Sequence, residues 1–129
     1  MTGPIETARD YFLTELRFPE EEIEEILALG RRALSQGLGG VVSALGTGDA
    51  RRVSEQAHLV KGILRNMGLF DPGRIARRVE ELAEAGSLAE ARTALRELCF
   101  ALEGFSFPDC GRSCGEGSEQ VMDSTLNKT

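Results

Sequence analysis

Apolar residues recur along this chain at helical spacing, and no segment sustains the alternation expected of a half-buried strand. A first short helix starts at Pro4, with Ile5, Ala8, Phe12 and Leu16 along one face. Pro19 then stands where a first helical residue belongs, ahead of Glu20, Glu21, Glu22, Glu24 and Glu25. Carboxylates in a first turn interact favourably with the helix dipole, so this is a start signal. The series Ile23, Leu27, Leu34, Leu38, Val41 and Leu45 carries one apolar stripe to about Gly46. That predicts a helix of roughly 40 Å at 1.5 Å per residue. Gly37, Gly39 and Gly40 weaken it and mark either a bend or a close helix contact.

Gly46-Thr47-Gly48-Asp49 reads as a turn ending in an N-cap, and the next helix is expected from Ala50 to about Leu69. Asp71 as cap and Pro72 at the first position restart a helix, with Ile75, Val79, Leu82 and Ala83 inward and Gly86 closing it. Ser87 with Glu90 predicts a capping box for a last helix that buries Leu88, Ala91, Leu95, Leu98, Cys99 and Leu102. Tight turns between helices favour antiparallel neighbours. The expected fold is therefore all-α: an antiparallel up-down four-helix bundle with a short extra N-terminal helix. The bundle domain is expected over residues 1–107, with Phe105 and Phe107 tucked against it. A mobile polar tail is expected over residues 108–129.

Length and composition agree with one domain: 129 residues, 41% of them apolar, are enough to bury a core. The start, Met1-Thr2-Gly3-Pro4, lacks the basic and apolar regions of a secretory signal, and no apolar run is long enough to span a bilayer. With an odd count of three Cys, the expectation is a reducing, cytoplasmic setting, no membrane association and a monomer. Cys110 and Cys114 lack further ligands nearby and read as part of the tail, so no metal site and no cofactor are expected.

The net charge of −6 disfavours nucleic acid, but its distribution is uneven. Residues 1–50 carry four basic and nine acidic side chains, and residues 79–129 carry four and ten. Residues 51–78 carry seven basic ones (Arg51, Arg52, Lys61, Arg65, Arg74, Arg77 and Arg78) against Glu55 and Asp71. Such a basic island reads either as an ordinary solvated helix surface or as a surface for an anionic group or acidic partner. No aromatic residue is interleaved to stack on single-stranded bases, and nucleic acid is not an expected partner.

The only His, His58, falls inside the island. Val53, Ala57, Val60, Leu64 and Met67 form the core stripe of its helix. At about 100° per residue, Arg51, Ser54, Glu55, Lys61, Gly62, Arg65 and Leu69 fall within about 60° of His58, on the opposite side. His58 should therefore face solvent, with Lys61 and Arg65 placed to offset a phosphoryl group on the ring. A Gly inside a helix costs about 1 kcal/mol relative to Ala. Access for another protein's active site is a reason to keep Gly62.

The run Ala57-His58-Leu59-Val60-Lys61-Gly62 resembles the Ala-His-x-hydrophobic-Lys-Gly signature of histidine-containing phosphotransfer domains. Asn66 and Gly68 match that family's Asn and Gly, eight and ten residues after the His. Gly48-Asp49 resembles its turn into this helix, and Ile75, Val79 and Glu80 resemble its following helix. The resemblance covers about residues 20–104 and departs at Ile63-Leu64-Arg65, where many relatives carry small residues. It implies a phosphocarrier without turnover of its own. His58 would be the phosphoacceptor, Lys61 and Arg65 would lie near the phosphate, and Arg51, Ser54, Gly62, Asn66 and Leu69 would meet the partner. Response-regulator receiver domains and a sensor histidine kinase are the implied partners, and Mg²⁺ would arrive with the receiver. A bundle that binds such domains without being phosphorylated is the alternative.

Overall fold

A computed structural model describes residues 3–103, and every regular element among them is helical. Helix α1 spans Pro4–Thr14. A 3₁₀ turn at Glu20–Glu22 leads into α2, Ile23–Thr47, followed by α3, Ala50–Asn66, α4, Phe70–Glu84, and α5, Leu88–Ala101. The predicted tail and Phe105, Phe107, Cys110 and Cys114 lie outside the described residues.

The periodicity of α2 and α3 places the core well. Ile23, Leu27, Leu34, Leu38, Val41 and Leu45 are all buried, as are Val53, Ala57, Val60, Leu64 and Met67. Gly30, Gly37 and Gly40 of α2 serve close approach, Gly39 and Gly46 have open space around them, and α2 is one unbroken helix. A Cβ on Gly37 would lie 2.8 Å from Val60 Cγ2, and one on Gly30 would lie 2.7 Å from Met67 Cε. These pairs run in opposite order along α2 and α3, so the two helices pack antiparallel. Pairs between α3 and α4 do the same: Ser54 with Glu84, His58 with Glu80, Arg65 with Gly73. Arg78 of α4 ion-pairs with Glu97 of α5. Arg92 near the start of α5 donates to the Leu45 carbonyl near the end of α2, at 3.1 Å. The same carbonyl also accepts from the Gly48 N–H at 3.2 Å, and a cation there suits the helix dipole.

Helix ends differ from expectation in several places, beginning with α1, which ends at Thr14, short of the exposed Leu16. Pro19 precedes the 3₁₀ turn instead of opening α2. Helix α3 stops at Asn66, because Gly68 turns the chain at φ +77, a conformation that strains residues with a Cβ. Leu69, expected on the outer face of α3, is therefore off the helix and 2% exposed. It is the N-cap position of α4, so Asp71 and Pro72 lie within its first turn and Asp71 pairs with Arg74. Ser87 does cap α5 by position, but its side chain makes no capping hydrogen bond. The Asp49 cap is as expected, accepting from the Arg52 N–H at 3.2 Å. Cys99, expected in the core, is half-buried against it.

Helix α1 seats on the turn between α3 and α4. Ala8 and Phe12 enter the core, Arg9 pairs with Glu24 of α2 at 2.5 Å, and Tyr11 meets Phe70 edge-on at 5.7 Å. The Tyr11 ring fills the space that a Cβ on Gly68 would need.

Candidate functional site: an oriented histidine on α3

Because Ala57, Val60 and Leu64 anchor α3 in the core, His58 is carried outward, and its side chain is 63% exposed. The ring is nevertheless held. Its Nδ1 lies 3.0 Å from Oε2 of Glu80, on α4. The other carboxylate oxygen, Oε1, is shut off from water and lies 3.0 Å from Lys61 Nζ. The Lys61 ammonium is the charge that holds this oxygen. Glu80 and Lys61 are only 15% and 18% exposed.

Burial alone would push the Glu80 pKa up. The Lys61 ammonium and the His58 ring at its two oxygens outweigh burial and hold the carboxyl below its ordinary value. Glu80 is therefore ionised near neutral pH, and an ionised carboxylate only accepts hydrogen bonds. The Nδ1···Glu80 contact thus requires the proton on Nδ1. In the neutral ring this leaves the lone pair on Nε2, which has no partner among the described residues. An oriented, solvent-facing ring nitrogen with a free lone pair is a nucleophile suited to an electrophilic phosphorus.

The other predicted residues divide. Gly62 is open, with nothing within 4 Å of the position a Cβ would take. Arg65 and Asn66 are exposed, and Leu59 beside His58 is 55% exposed. Arg51 is exposed and paired with Glu55 at 3.2 Å, and Ser54 is half-buried and donates to Glu84 at 3.3 Å. Leu69, lying in the core, is not part of this surface. Lys61 reaches across to α4, where its charge is already engaged. Most of the basic island is compensated in the same way: Arg74 by Asp71, Arg77 by Glu81 and Arg78 by Glu97. A count along residues 51–78 misses Glu80, Glu81 and Glu97, which follow in sequence but lie alongside in space.

Glu80 is the residue of this site to which the sequence assigned no role. Its signal is spacing about a turn: His58 lies ten residues before Gly68 and Glu80 twelve after. An antiparallel pair folded at that glycine brings them level. Among the described residues no three metal-ligating side chains cluster, and no helix is long and apolar enough to cross a membrane.

No protein-family model matches the chain, and no curated protein or solved structure matches it.

Proposed function

We propose that this chain is a phosphorelay intermediate, with α2 to α5 forming an antiparallel up-down four-helix bundle that presents His58. The observation that carries the reading is the His58–Glu80 contact, which fixes the proton on Nδ1 and leaves Nε2 outward. In the forward step Nε2 attacks the phosphorus of a receiver's aspartyl phosphate. The N–P bond forms, the P–O bond to the carboxyl oxygen breaks, and the aspartate leaves as a carboxylate. Passing the group to a second receiver reverses these bond changes, and a histidine kinase is the other donor class. The Nδ1–H stays with Glu80 throughout, and the carboxylate offsets positive charge that develops on the ring. Lys61 lies one turn from His58, and moving off Glu80 lets it meet the phosphoryl group. Mg²⁺ belongs to the receiver's acidic site in this reading.

The test is phosphotransfer from receiver domains labelled with acetyl phosphate. Label is expected on the wild type, stable to base and labile to acid as for a phosphoramidate bond, and absent from His58→Gln. A wild type that takes up no label from any receiver, or a His58→Gln variant that still does, overturns the carrier role. In the first case, binding without transfer leaves an interaction module.

A further inference from the structure

The face of α3 that carries His58 holds one cation whose charge is uncommitted. Arg51 lies against Glu55 and Lys61 against Glu80. The Arg65 side chain makes no ion pair or hydrogen bond among the described residues. Its stem is nonetheless seated. A Cβ on the buried Gly73 of α4 would lie 3.3 Å from Arg65 Cγ, so α4 keeps room for that stem by carrying no side chain there. The stem covers α4 while the residue stays exposed, which leaves the guanidinium to water.

Seven residues set Arg65 about 10 Å along the helix from His58 and only about 20° around it. Side chains on one helix lean the same way, so Arg65 does not close that interval. The Arg65 stem is turned instead against Gly73 of α4. The exposed Leu59 and the open Gly62 extend the same accessible surface around His58.

We infer that Arg65 is a specificity-determining contact, binding a carboxylate on the docked receiver about two helical turns from the reacting nitrogen. This rests on the carrier reading above. An unpaired guanidinium offers a carboxylate a two-pronged contact without surrendering an internal partner. A receiver with Asp or Glu at that place is favoured, and one with Lys or Arg is repelled.

The test compares wild type, Arg65→Gln, which keeps the stem over Gly73, and Arg65→Glu. Each is assayed for direct labelling by phosphoramidate and for transfer from a panel of acetyl-phosphate-labelled receivers. Direct labelling should be unchanged. For the receiver that serves wild type best, KM should rise about three- to tenfold in Arg65→Gln and further in Arg65→Glu, with kcat held. The difference should shrink in high salt. Wild-type KM values in both variants, or a matching fall in phosphoramidate labelling, overturn the inference while leaving the carrier role standing. Failure of wild type to accept label from either source defeats the carrier role and this inference with it.

Discussion

Replacing Glu80 by Gln and Lys61 by Met, singly and together, isolates the ion pair that ties α4 to the His58-bearing face of α3. Two unit charges 3.0 Å apart attract by about 5 kcal/mol at an effective dielectric constant near 20. Most of this is offset, because both groups have lost much of their water. Each is still partly wet, so the coupling expected from the double-mutant cycle is roughly 1–2 kcal/mol. In urea unfolding followed by circular dichroism, each single variant should lose about 1 M in midpoint if m is near 1.5 kcal/mol/M. The double variant should lose less than the two together. The sign of the pH dependence follows from the lowered pKa of Glu80. Its stabilisation is fully present above the unfolded carboxylate value, about 4.3, and is lost as pH falls through the lower folded value. The coupling should therefore be full at pH 7 and shrink under acid conditions. A coupling below about 0.3 kcal/mol at pH 7, or one indifferent to acid, would show that Glu80 and Lys61 are neighbours without being partners.

Two further substitutions separate packing from access. Gly62→Ala, with open space around the added methyl, should raise stability by roughly 0.5–1 kcal/mol yet slow transfer from a receiver; faster transfer would deny that Gly62 is kept for approach. Gly68→Ala must hold φ +77 and push aside Tyr11. It should cost about 2 kcal/mol or more and free α1, read as loss of amide protection over residues 4–14, whereas wild-type protection would refute the seating of α1 on that turn.

How much was legible follows from how local each signal is. The stripes of α2 and α3 repeat over many turns, and each of the residues named on them is buried. The outward direction of His58 follows directly from that stripe. On α4 the buried face is Gly73, Ala76, Val79 and Ala83, while Ile75 and Leu82 flank it, because small residues admit closer packing than Ile and Leu. Leu69 was misplaced because extending α3 by one turn carried a core residue onto its outer face. The pairing of Lys61 and His58 with Glu80 depends on the register between two helices, and a single-helix projection contains no such information. The acidic partners of Arg77 and Arg78, Glu81 and Glu97, lie beyond the basic stretch in sequence for the same reason.

The contact between His58 and Glu80 also makes the ring a gauge of the spacing between α3 and α4. A slide of α4 by one turn, about 5.4 Å, in the direction that sets Ala76 level with His58 would carry Glu80 away from the ring. The carboxylate that now dictates which nitrogen carries the proton would then be displaced, and the two tautomers would mix. Nitrogen chemical shifts of this single histidine would therefore register a strain between the helices before any loss of helicity. A docking protein that levers the two helices apart would alter the nucleophile without touching it.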